Sequence, residues 1–205
     1  MAHKVVYMIR HGQTPGNLEK KYIGRRSDES LSETGIRQAG MLRDRIAELT
    51  GKDPLRVCAS PMKRTVETAR ILFGGAEPES FNGLEEMDFG IFEGKTHDEL
   101  CDDESYRKWL DSGGLEAIEG GESFEAFCLR TLEGFVGMLG EKSVEETIAV
   151  VCHGGTIMAE LHSLTGKDHY GFICENLGGY RLDLEYDDEG IHDLSYRRLD
   201  AWGMP

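Results

Sequence analysis

A chain of 205 residues, 39% of them hydrophobic, is long enough to bury a core within one domain spanning residues 1–205. Its net charge of −15 comes from acidic residues spread along the chain. That argues against a broad basic surface for nucleic acid or an anionic membrane, and leaves a local cationic pocket as the way to hold an anion.

In chain order, "KVVYMIRHGQT" opens with Val5, Val6, Tyr7, Met8 and Ile9, a run that reads as a buried strand ended by Arg10, His11 and the turn residue Gly12. This strand begins close enough to Met1 that no secretion signal is expected. "SETGIRQAGMLRDRIAELTG" places Ile36, Ala39, Leu42, Ile46 and Leu49 at helical spacing, with Ser32 as N-cap and Gly51 as stop. "LRVCAS" is a short strand, and "SPMKRTVETARIL" predicts a helix capped by Ser60 with Pro61 at its first position. Residues 95–121 are acidic and punctuated by glycine, an excursion over one face. "GESFEAFCLRTLEGFVGML" is a second long helix turning Phe124, Phe127, Leu132, Phe135 and Leu139 inward. "TIAVVC" reads as a buried strand and "GGTIMAELHSLTG" as a helix, while "YRLDLEY" and "DLSYRR" read as later strands placed to pair.

Alternating strands and helices predict an α/β fold with a mainly parallel sheet and helices on both faces. Ligands of such sheets bind beyond the carboxyl ends of the strands. Strands ending in Ile9, Ala59 and Cys152 lead into Arg10-His11-Gly12, Ser60-Pro61 with Arg64 beyond, and His153-Gly154-Gly155. In a parallel sheet these ends share one rim, which gathers His11, Arg64 and His153. Histidines, arginines and helix amino termini suit an anion, and guanidinium forks match phosphate best.

"RHGQTPGN", "SPMKRTVETA", "LEEMDFGIFEGKT" and "VCHGGTI" together resemble the histidine phosphatase superfamily, in its phosphoglycerate-mutase-like branch, and follow that family's order from residue 10 to about 157. The resemblance implies that His11 is a nucleophile forming a phosphohistidine, and that Arg10, Arg64 and His153 stabilise the transferring group. It implies that Glu86 is the general acid and that Asn17 and Gly154 contact phosphate. Glu85 is adjacent to Glu86, and either could face the pocket; Glu86 is chosen because it lies four residues before Gly90, as in the family motif. No metal and no cofactor is implied. Asn17 reads equally as a helix cap, Cys152 reads as core, and Gly24, Arg25 and Arg26 form a possible substrate loop or merely a solvated one.

Mutases of the family carry a long basic insertion after the general-acid block, a tryptophan after the glycine that is here Gly24, and an asparagine where this chain has Gly155. Those departures favour a phosphomonoester hydrolase acting on a small phosphorylated metabolite, of the broad-specificity or α-ribazole phosphatase type. Phosphoglycerate mutase and a non-catalytic phosphate-binding protein of the same fold are the alternatives. A dinucleotide-binding oxidoreductase is disfavoured because the first strand and turn lack GxGxxG. Residues 95–121 are expected to act as a lid. Five widely spaced cysteines without a CxxC pair and the lack of a membrane-length apolar run predict reduced thiols, no membrane partner and a cytoplasmic location. Oligomeric state is not legible.

Overall fold

The computed structural model describes residues 2–50, 55–140 and 144–199, so the helix stop expected at Gly51 lies outside the described residues. Strands β1 (Ala2–Arg10), β2 (Leu55–Ala59), β3 (Glu79–Ser80), β4 (Glu146–Cys152), β5 (Gly179–Asp187) and β6 (Gly190–Leu199) form one sheet in the order β3-β2-β4-β1-β5-β6. The first four of that order run parallel, whereas β5 is antiparallel to β1 and β6 to β5. The mainly parallel sheet is therefore as expected. The antiparallel pairing of β6 with β5 follows from the short turn at Asp188 and Glu189, because so short a link can join only antiparallel neighbours.

The helices are α1 (Pro15–Leu18), α2 (Glu33–Thr50), α3 (Lys63–Leu72), α4 (His97–Leu100), α5 (Glu104–Asp111), α6 (Phe124–Leu139) and α7 (Gly154–Thr165). Both faces of β1 are covered, which is why residues 5–9 are continuously apolar rather than alternating. Val6 and Met8 pack with Phe135, Met138, Ile157 and Leu161 of α6 and α7. Tyr7 and Ile9 pack with Ala39, Leu42, Ile46 and Leu72 of α2 and α3. Residues 95–121 contribute Leu100, Tyr106, Trp109 and Ile118 to a third cluster, seated on Phe124 and Phe127 of α6 and on Ala159 of α7. Among the described residues, no helix is long and apolar enough to cross a membrane.

Two expectations need correction. Ile36 is 50% exposed rather than inward. The buried stripe of α2 runs through Gly35, Ala39, Leu42 and Ile46 instead. A Cβ on Gly35 would stand 2.3 Å from the Gln13 carbonyl oxygen, so this helix start lies directly on the turn after β1 and Ile36 is rotated out. Ser32 does cap α2, its hydroxyl accepting from the Gly35 N–H at 3.0 Å. The other correction concerns α3, which starts at Lys63 with Met62 as N-cap, not at Pro61 with Ser60. Ser60 still belongs to the sheet, its N–H donating to the Val151 carbonyl at 3.0 Å. Proline at the next position favours the same extended conformation.

Candidate active site

Strand register builds the site. Arg10 pairs with Cys152 across β1 and β4, and Ala59 with Val151 across β2 and β4. Each ladder runs one residue further, since His11 N–H donates to Cys152 O at 3.0 Å and Ser60 N–H to Val151 O at 3.0 Å. His11, Ser60 and His153 thus stand side by side on one rim, as parallel strands require.

His11 is buried, and its Nδ1 lies 2.7 Å from the Gly12 carbonyl oxygen. A carbonyl only accepts, so Nδ1 carries the proton and Nε2 keeps its lone pair. Burial, then Arg64, then Arg10 hold the imidazole pKa well below its usual value, so the ring is neutral at pH 7. His153 lies edge-on to it, with ring centroids 5.3 Å apart. Its Nδ1 accepts from Arg64 Nε at 3.2 Å, which leaves Nε2–H to donate to the Ser60 hydroxyl at 2.9 Å. Burial and then Arg64 push the His153 pKa well down too.

Arg64, in the first turn of α3, is wholly buried. Its Nη1 donates to Ser27 O at 2.8 Å and its Nη2 to Gly24 O at 3.2 Å. The loop therefore braces Arg64 through the Gly24 and Ser27 carbonyls. Arg25 is paired with Glu85 at 2.8 Å, and Arg26 with Asp88 at 2.8 Å. Arg10 Nη1 donates to Cys174 O at 2.7 Å, while its Nε is buried without a hydrogen-bond partner among the described residues. A Cβ on Gly154 would come 3.3 Å from that Nε, so the start of α7 closes one side of the Arg10 guanidinium.

Glu86, not Glu85, is the buried carboxyl. It accepts from Met87 N–H at 3.0 Å and from Gly155 N–H at 3.1 Å, at the start of α7. Burial raises its pKa even though these bonds and the nearby Arg64 and Arg10 act the other way. Asn17 takes the capping role through its side chain. Its Oδ1 accepts from Thr14 N–H at 3.2 Å in a capping box and from Asn176 Nδ2 at 3.1 Å. The amide NH2 is left as the half available to an anion. Cys152 is fully buried, and burial raises its thiol pKa well above the ordinary value, which makes it core rather than nucleophile.

Three contributors escaped the sequence reading. Ser60 orients His153, as described. Thr68 Oγ1 accepts from Gly12 N–H at 3.0 Å and so holds the turn that carries His11. Asn176 donates to the His11 carbonyl at 2.9 Å. Thr68 stands four residues after Arg64 and so on the same helix face, a signal that was available. Asn176 sits in a loop distant in sequence and carried no signal.

The family model described as histidine phosphatase superfamily (branch 1) matches residues 6–195. The chain is 31% identical over 182 residues to adenosylcobalamin/alpha-ribazole phosphatase of Escherichia coli strain K12, across 87% of this chain and 85% of that protein. Its structure resembles that of phosphoserine phosphatase from Entamoeba histolytica in complex with 3-phosphoglyceric acid, with a TM-score of 0.76, 26% identity and 98% of each chain covered. It also resembles phosphoglycerate mutase from Thermus thermophilus, with a TM-score of 0.68 and 26% identity, over 95% of this chain and 98% of that one.

Proposed function

The chain belongs to the histidine phosphatase superfamily, and from that premise we propose that it is a metal-independent phosphomonoester hydrolase working through a phosphohistidine at His11. The observation that carries this reading is the state of His11: neutral, with Nδ1–H tied to the Gly12 carbonyl and Nε2 unprotonated, in the field of Arg64 and Arg10.

In the first step the Nε2 lone pair of His11 attacks phosphorus in line, and the P–O bond to the leaving alcohol breaks. Protonated Glu86 gives its proton to the departing oxygen, a role supported by its raised pKa. In the second step ionised Glu86 takes a proton from water, whose oxygen attacks phosphorus. The P–N bond breaks, and neutral His11 and inorganic phosphate result. Arg10, Arg64, the Asn17 amide and the Gly154 N–H stabilise the equatorial oxygens, and His153 joins them by turning its Nε2–H from the Ser60 hydroxyl to the phosphate. The unpartnered Arg10 Nε supports its part in this. Cationic donors on this rim suit an anion and repel a metal ion, so chelators should leave turnover unchanged.

Hydrolysis is favoured over mutase transfer because residues 95–121 form a short, acidic excursion closed on its own aromatic cluster. That excursion walls the leaving-group side as a lid. Wild-type protein should hydrolyse para-nitrophenyl phosphate and, when quenched, contain an acid-labile phosphoenzyme. His11→Ala should lose both, by about a thousandfold or more in rate. Full activity in that variant would sink the mechanism. Interconversion of phosphoglycerates faster than hydrolysis would favour the mutase.

A further inference from the structure

Beside Glu86 lies a cavity of about 190 Å³ whose wall includes Met87 and Gly155, the two residues whose N–H groups hold the Glu86 carboxylate. An oxygen leaving toward Glu86 therefore carries its organic substituent into this space. The rest of the wall is dominated by Tyr22, Phe89, Trp109, Phe124, Phe127 and Tyr170. Tyr22 meets Phe89 with ring centroids 5.3 Å apart and Trp109 at 5.7 Å, edge to face in the latter pair. These rings already brace one another, so the cavity is preformed rather than assembled by the ligand.

Among the described residues, no lysine or arginine lines it. Arg25 and Arg26, which follow Gly24 in sequence, are paired with Glu85 and Asp88. The polar groups of the wall are neutral. Tyr22 shares its hydroxyl with Tyr106 at 2.7 Å, and burial lowers the pKa of His169, which lies tilted against Phe124 at 4.4 Å and Tyr170 at 4.2 Å. A carboxylate or second phosphate on the leaving group would thus be desolvated without a countercharge, which is costly. A flat uncharged ring gains stacking and edge contacts instead. An apolar cavity of about 150 Å³ holds a benzene, so this one accepts a single ring on a short linker.

Resting on the hydrolase reading, we propose that the physiological substrate is a phosphomonoester whose alcohol carries a planar, uncharged ring, held in the pocket of Tyr22, Phe89, Trp109 and Tyr170. Sugar phosphates and phosphoglycerates are then poor substrates.

The test compares kcat/KM of the intact protein for 2-phenylethyl phosphate, glycerol 3-phosphate and 3-phosphoglycerate, alkyl esters of similar intrinsic reactivity. The ring ester should exceed both others by at least about tenfold. Trp109→Ala should shrink that ratio, and so should Tyr170→Ala, whose half-exposed ring can be removed without emptying the core. Equal or better turnover of glycerol 3-phosphate or 3-phosphoglycerate overturns the proposal, as does a ratio unchanged in both variants. Calorimetric titration with 2-phenylethylphosphonate and methylphosphonate tests the pocket without turnover. Tighter binding of the ring compound by about tenfold supports it, and equal binding overturns it. Absence of hydrolysis of every ester, para-nitrophenyl phosphate included, counts against the hydrolase reading, and the titration then still decides the pocket.

Discussion

At the residue scale, the position of Glu86 depends on the absence of a side chain at its neighbour. A Cβ at Gly155 would stand 2.3 Å from Glu86 Oε1, a separation that no packed carbon and oxygen sustain. The atom in the way is the tip of a flexible side chain, so the carboxylate would move and the fold would not. Alanine is also the better helix former, by up to about 1 kcal/mol. Gly155→Ala should therefore keep or raise the unfolding midpoint while displacing the general acid. A positioned general acid contributes roughly 10²–10⁴-fold. Displacing it should cost about tenfold to a hundredfold in kcat for alkyl phosphates, and much less for para-nitrophenyl phosphate, whose leaving group hardly needs a proton. Steady-state rates on both esters, beside thermal melts, check this. Equal losses on the two esters would contradict the role of Glu86, and a lowered melting point would show that Gly155 serves packing instead.

At the element scale, α3 locks the site as well as supplying a cation. Arg64 and Thr68 lie one turn apart on its buried face, one reaching His153 and the other the Gly12 N–H. The Thr68 hydroxyl also donates to the Arg64 carbonyl at 2.6 Å, so one oxygen serves both helix and turn. Thr68→Val keeps the shape and leaves the Gly12 N–H buried and unpaired, which should cost about 1–3 kcal/mol in urea unfolding and reduce kcat. Thr68→Ser, which retains the oxygen, should recover most of both, whereas a valine variant as stable and active as wild type would remove this link. The helix also marks where sequence was readable. Strand ends bearing His11 and His153 were legible because both faces of the sheet are buried, which leaves an uninterrupted apolar run broken abruptly by polar residues. Elements between them followed from helical periodicity. The start of α3 was misplaced by two residues because Ser-Pro signals a helix opening locally, while the ladder to Val151 holds Ser60 in the sheet. Ile36 was misplaced because periodicity counts apolar residues and does not register that the turn at Gln13 requires a glycine. Asn176 and the pairing of Arg25 and Arg26 depend on tertiary contacts between distant segments, which no local pattern encodes.

At the scale of the whole molecule, buried titratable groups squeeze stability from both sides of neutrality. His11 and His153 are held neutral in the folded protein but charge in the unfolded chain below their usual pKa near 6.5, so stability falls as pH drops through that region. Glu160 of α7 acts on the other side. It is fully buried, neither carboxyl oxygen has a hydrogen-bond partner among the described residues, and burial pushes its pKa up to about 8. Between its ordinary value of 4.5 and about 8, the folded state keeps a proton that the unfolded state has lost. Stability then declines with rising pH, at most by about 1.4 kcal/mol per pH unit for one proton. From pH 7 to 8 the buried histidines are largely neutral in both states, and the small opposing slope left by their unfolded-state protons is the same in any variant that keeps them. The buried Cys58, Cys152 and Cys174 thiols, all raised by burial, ionise in the unfolded chain only around their ordinary value of 9.0, above this window. Glu86 contributes in the same direction as Glu160, so some slope persists without Glu160. Glu160→Gln should accordingly flatten the fall in unfolding free energy between pH 7 and 8, measured by urea titration in half-unit steps. The comparison of slopes is independent of whatever the buried amide does to stability at a single pH. Parallel lines for the two proteins would mean that the Glu160 carboxyl is ionised in the fold and solvated by a route that its burial in α7 does not suggest.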